Sequence, residues 1–420
     1  MTLHFIPPAL RHRRFRLLWL GLMISIAGSR MQVTAVLWHV HQINGQPIAL
    51  GGVGLVRILP VLFFSLLAGA IADRLNRRNV MFLTQTLLAT LSATLGIITQ
   101  QGWDSLVWIY LLIAISGAVQ AFDLPARQAL VPNLVPREEL TNAFSLMSIA
   151  GQVGSIAGPA LGGLVIAGWG TAYAYYIDAV SFGAVILALI LMGAVAQNLE
   201  TQPGRGLRSI IPEVRDGLRY VFHQPIIFSS MVLDFFATFF SSASTLLPIF
   251  AEDILAVGPQ GYGLLSAAPS IGAVSMAILM SMFDTIRRQG KVLLLAVAGF
   301  GLSTLVFGIS RSFTLSFVAL ATIGASDSLS TIIRNTIRQL QTPDSLRGRM
   351  TSINQIFFMG GPELGELEAG IVAQLFSVPF SVISGGIGCL LAASWTAARF
   401  PQLRSYNGDE PMLAGGRRTT

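Results

Sequence analysis

The chain has 420 residues, 53% of them hydrophobic and only 11% charged, against about 25% charged in an ordinary soluble domain. That balance excludes a soluble enzyme or binding domain and identifies an integral membrane protein. The net charge of +7 comes from 27 Lys and Arg that cluster at the N-terminus, in alternate loops and in the tail, with Arg30, Arg57 and Arg311 as exceptions. It therefore reads as a topology signal placing both termini in the cytoplasm, and nucleic-acid binding has no place in the account.

Apolar runs of about 20 residues separated by short polar breaks predict twelve transmembrane helices. Arg11, Arg13, Arg14 and Arg16 precede the first run, but no small-residue cleavage site follows, so this is a retained helix rather than a signal peptide. The first half contains spans near 15–40, 48–72, 80–98, 105–124, 142–167 and 172–196. Trp103 and Trp108 are placed as interfacial anchors. Between the second and third spans lies a short turn containing Gly69, Asp73, Arg74, Arg77 and Arg78, and 125–140 forms the next loop on the same side.

From 197 to 225 the chain turns polar and basic, with Ile210, Ile211, Val214, Leu218, Val221 and Phe222 at helical spacing and charges on the other faces. This is an amphipathic linker suited to a membrane surface. A second half follows with spans near 226–251, 262–283, 292–309, 313–333, 351–376 and 378–398. The fold class is thus an all-α integral membrane bundle of two six-helix halves, 1–196 and 226–420, joined by the linker 197–225. Two internal repeats support duplication: Arg127 and Pro136 answer Arg334 and Pro343, and Gly158-Pro159 with Gly162 answers Gly361-Pro362 with Gly365.

Charges inside spans are costly and mark function by default. Arg30, Arg57, Asp234, Asp327, Glu363 and Glu366 are the candidate ligand and proton contacts, with Glu368 and Asp178 also within spans. Glu363 and Glu366 are three apart on a helix beside Pro362, which suits a carboxylate that is dry in one state and wet in another. Asp178 and Asp104 lie near an interface, where simple solvation is expected. His39 and His41 form a His-x-His without a third ligand nearby, so a solvated pair is expected and no metal. Cys389, the one cysteine, permits no intrachain disulfide. No phosphate-cradling glycine loop, nucleophile elbow or zinc signature is present, which removes the main supports for an ATP-driven or hydrolytic activity.

The turn, Gly69 then Asp73-Arg74 then Arg77-Arg78, resembles the loop between the second and third helices of the major facilitator superfamily. On the fifth helix, Gly154, Gly158, Pro159, Gly162 and Gly163 resemble the antiport-associated motif of its exporter branches, although Ser145 stands where that motif has a further glycine. The stretch from Phe122 to Pro132 resembles the branch of enterobactin and macrolide efflux proteins. The resemblance implies two halves rocking about a central site, with a charge cluster of Asp73, Arg77 and Asp123 as a conformational gate and Arg127 beside it. It also implies proton-coupled export of a small molecule from a bacterial inner membrane, by a monomer with no cofactor beyond the proton gradient. Arg30 departs from drug antiporters that carry an acid on the first helix, and with Arg57 it points toward an acidic or catechol-bearing compound. An importer or flippase of the same fold, or a membrane scaffold that has lost transport, remain the alternatives.

Overall fold

A computed structural model describes residues 7–195, 219–240, 244–283, 286–343 and 346–408, without the side chains of 65–74 and of many residues in 347–359. Twelve long helices run through it: α1 Arg13–Asn44, α2 Pro47–Arg74, α3 Arg77–Gln100, α4 Leu106–Leu130, α5 Leu140–Trp169, α6 Thr171–Met192, α7 Pro225–Phe240, α8 Gly258–Ser281, α9 Gln289–Ile309, α10 Phe313–Gln341, α11 Arg347–Leu375 and α12 Val378–Arg399. Eleven of the described helices are long and apolar enough to cross a membrane. Large apolar side chains such as Phe63, Val107 and Val180 are 73–76% exposed. A surface so rich in exposed apolar side chains aggregates in water, and a bilayer solvates it. The protein is a multi-pass, all-α membrane protein.

The chain divides into two compact units, one of 1–201 with 247–267 and the other of 202–246 with 268–420. The boundary differs from the expected halves, because 247–267 packs with the first unit. Beyond α7 the chain continues as a 3-10 turn at Ser244–Leu246, a helical turn at Leu247–Ile249 and a π-turn at Phe250–Ile254. The seventh span is therefore not one regular helix.

Within the first unit, α1 lies against α5 and α6, α3 against α6, and α2 against α4. Glycines set how close these backbones come. A Cβ at Gly158 would stand 2.5 Å from Arg30 Cβ and 2.6 Å from Ala27 O, and one at Gly117 would collide with Arg57 O. Small residues at such crossings replace the hydrophobic drive that helices lack inside lipid. At the arginine-rich end, Phe15, Leu18 and Leu22 of α1 pack with Met81, Leu130, Val185 and Leu189 in a fully buried core. The second unit repeats the plan: α7 packs against α11, with Gly361 on Phe235 and Thr238, and α9 against α12, with Gly301 on Gly386.

Two expected loops are helix. The fourth span continues through Pro125 to Leu130 and the tenth runs to Gln341, so Arg127, Arg334 and Arg338 stand on helices. Pro125 removes only its own bond to the preceding turn, and the Asp123–Arg127 pair, four residues apart, ties the two sides of the proline together. Most of the expected amphipathic linker, its residues 197–218, lies outside the described residues.

Candidate functional site

The described first unit encloses a polar cavity of about 320 Å³. Its wall follows from helical periodicity: Ser25, Ser29 and Gln32 recur on one face of α1, and Ser116, Gln120, Asp123 and Arg127 on one face of α4. Arg57 from α2 and Gln85 from α3 complete the polar lining. Arg30 projects into this space and is exposed to it. It makes no ion pair with any described residue, and the like charge of Arg57 acts on it. A larger hollow of about 920 Å³ lies beside Arg287, Arg288 and Gly408, but none of the charges within the spans lines it. Chemistry favours the smaller cavity as the site.

Asp123 closes the arginine-rich end of that cavity. It is 1% exposed, accepts from Thr84 Oγ1 and Gln85 Nε2 at 2.8 Å each, and pairs with Arg127 Nη2 at 2.5 Å. Arg77 donates to Ala129 O and Asn133 Oδ1, and Arg78 Nε to Leu189 O, so the two guanidiniums bond carbonyls in the last turns of α4 and α6. The expected cluster of Asp73, Arg77 and Asp123 is thus seen in part: Asp123 takes Arg127, and the side chains of Gly69, Asp73 and Arg74 lie outside the described residues.

The glycine stripe of α5 sorts by face. Gly154, Gly158 and Gly162 pack on Ile26, Ala27, Arg30 and Met31 of α1, whereas Gly163 and the Pro159 carbonyl meet Pro259 and Gly263 at the start of α8. Arg30 is therefore held from behind by the stripe while its head faces the cavity.

The second unit gathers charge in another way. Asp234 of α7 pairs with Arg334 of α10, both 2% exposed at the side chain. Arg334 also reaches Asp327 at 3.6 Å, Arg338 approaches Asp234 at 3.9 Å, and Arg338 donates to Asn354. Asp234 and Asp327, expected as separate ligand or proton contacts, are here joined through one guanidinium. Glu366 accepts from Ser244 Oγ at 3.4 Å, and Glu363 stands one helical turn before it on α11.

Residues 5–411 match the transmembrane secretion effector family of the major facilitator superfamily. The chain belongs to that family. Curated relatives include the enterobactin exporter EntS of Escherichia coli strain SMS-3-5, 26% identical over 96% of this chain and 95% of its own length, and that of Shigella boydii serotype 18, with the same identity and coverage. Among solved structures, a bacterial homologue of the human lysosomal transporter Spinster matches with a TM-score of 0.73 at 15% identity, over 94% of this chain and 98% of that one. The nucleoside transporter NupG matches at 0.70 and 14% identity, over 94% and 99%. At those identities the structures carry the fold. The protein is a membrane transporter with the major facilitator fold.

Three solvation expectations fail in this transporter. Asp178 is fully buried on α6, surrounded by Ser29, Ser92 and Ser181. His39 is 2% exposed, with Nε2 2.6 Å from Asp104 Oδ2 and Nδ1 3.1 Å from the Tyr175 hydroxyl. His41, also buried, pairs with Glu252 at 3.1 Å. Each partner is distant in sequence, and position along a span is a poor guide to water when aromatic residues such as Trp38, Tyr175 and Tyr262 cap the bundle. The stripe of Ser116, Gln120, Asp123 and Arg127 was available as a signal, since polar residues at helical spacing in an apolar span mark an inward face.

Proposed function

We propose that this transporter exports a small anionic amphiphile, of the catecholate siderophore kind, across a bacterial inner membrane by alternating access driven by proton entry. The observation that supports it most is Arg30, exposed into a polar cavity beside Arg57 and paired with no carboxylate among the described residues. A guanidinium that faces a cavity with no described carboxylate on it is costly until an anion neutralises it, which gives an acidic ligand both affinity and orientation. The exporter name carried by the curated relatives agrees in direction and ligand class.

In this reading both termini are cytoplasmic and the unit of transport is a monomer needing no cofactor. Asp123, Arg127, Arg77 and the Gly69–Asp73–Arg74–Arg78 turn act as the gate, and Gly154, Gly158, Pro159, Gly162 and Gly163 form the contact along which α5 shifts. Asp234, Asp327, Glu363 and Glu366 serve the second half of the pathway.

The test is accumulation in everted membrane vesicles, comparing enterobactin with a cationic dye of similar size under a proton gradient. The reading expects gradient-dependent enterobactin accumulation that Arg30→Gln abolishes. Accumulation of the cation with none of the anion, or anion uptake indifferent to Arg30→Gln, overturns it.

A further inference from the structure

We infer that Asp178 is the proton-carrying carboxylate of this transporter, loaded and unloaded through the wall of the polar cavity. The inference rests on the proton-coupled reading above and moves the proton to a residue that sequence position had assigned to solvent.

Asp178 is 0% exposed, and among the described residues its carboxylate hydrogen-bonds to hydroxyls only. Ser92 Oγ lies 2.8 Å from Oδ2, Ser181 Oγ 3.4 Å from Oδ1, and Ser29 Oγ 3.5 Å from Oδ1. No described cation pairs with it. The elements packed on α6 bear this out: α5 contains no ionisable side chain, and α3 none beyond Arg77 and Arg78 at its start. On α1, Arg30 faces the cavity and His39 is engaged with Asp104, while α6 itself adds Tyr173, Tyr175 and Tyr176. A structural acid in such a place ordinarily has a cation beside it. Here the surroundings suit both protonation states.

The hydroxyls show how. Ser92 has one hydrogen and two acceptors within reach, Asp178 Oδ2 at 2.8 Å and Tyr175 O at 2.9 Å. Ser181 likewise faces Asp178 Oδ1 and the Asp178 backbone carbonyl at 2.7 Å. With the carboxylate ionised, both serines turn toward it. With a proton on Oδ2, the acid donates to Ser92 Oγ, and the serine hydrogens swing to the two carbonyls. Neither state leaves a buried donor or acceptor unpaired, and no backbone has to move.

A route to water also exists. Ser29 lines the cavity and reaches Asp178, and Gln32 lines it and donates to Ser92 at 3.1 Å. Gly28 makes this contact close: a Cβ there would collide with Ser181 Oγ and stand 3.0 Å from Asp178 Oδ1. One proton thus passes from cavity water to Oδ2 and returns the same way, with substrate anion held by Arg30 at the other side of the same wall.

The experiment uses the full-length protein reconstituted in liposomes. Infrared difference spectra between acid and alkaline pH follow the C=O stretch of a protonated carboxyl, and a pH dye follows protons moved on adding enterobactin. Asp178→Asn keeps shape and hydrogen bonding, so a merely structural Asp178 would leave both signals intact. The expected result is loss of one titrating carboxyl band and of enterobactin-driven proton movement, with gradient-independent enterobactin exchange retained, and slower proton movement in Ser29→Ala. Unchanged signals in Asp178→Asn, or loss of the band only in Glu363→Gln, overturn the inference. If the wild type shows the Asp178 band but enterobactin moves no proton, the coupled reading fails while the titrating site stands.

Discussion

Arg127 and Arg334 stand at the same place in the two repeats, yet they neutralise carboxylates in different ways. Arg127 pairs with Asp123 four residues back on its own helix, and Thr84 and Gln85 hold that carboxylate as well. Arg334 pairs with Asp234 on another helix, one hundred residues away, while the position four residues back is Ser330, buried with its hydroxyl unbonded among the described residues. A pair within one helix survives movement of its neighbours; a pair between helices fastens α7 to α10. The first unit thereby leaves Arg30 facing its polar cavity with no ion pair among the described residues, whereas the second is clamped by its own charges.

Breaking the clamp should have the largest effect. Arg334→Ala leaves Asp234 buried with only the distant Arg338, at a cost of about 3–5 kcal/mol, read as a large fall in the unfolding midpoint in detergent. Asp234→Asn falls less, and adding Ser330→Asp to it should recover part of the loss by rebuilding the local pair of the first unit; no recovery would mean the two arginines are not interchangeable in setting. Next comes Gly158→Val, which forces α1 and α5 apart at Ala27 and Arg30 and should cost about 1–3 kcal/mol as overpacking, with enterobactin accumulation lost. Arg127→Ala should cost about 1.5–3 kcal/mol, less than Arg334→Ala because two donors still hold Asp123, and thermal shift should separate the two. Trp103→Ala, at 70% exposure, should change the midpoint by less than about 0.5 kcal/mol equivalent.

The spans, the repeat and the glycine stripe were legible because each is a local pattern: apolar length, a register between halves, and a four-residue spacing on one helix. Arg30 and Arg57 could be singled out for the cost of charge in a span, but their sharing of one cavity could not, since nothing in sequence joins α1 to α2 at that depth. The His39–Asp104 and His41–Glu252 pairs were hidden by separations of 65 and 211 residues. Asp178 was misjudged because distance from a span's end stood in for distance from water. The course of α4 past Pro125 was missed because a proline beside charged residues carries the ordinary signature of a loop.

Cys389 has a practical bearing on all of this. Its thiol is wholly buried on α12, with Sγ 3.6 Å from Val297 O. Buried in apolar surroundings, such a thiol is chemically inert, and the chain has no other cysteine to compete for a reagent. The native sequence is therefore ready for site-specific labelling: a cysteine introduced at an exposed position such as Trp103 or Phe376 would be the reactive one, and spin or fluorescent probes there could time the transport cycle without first stripping the protein of its own residues.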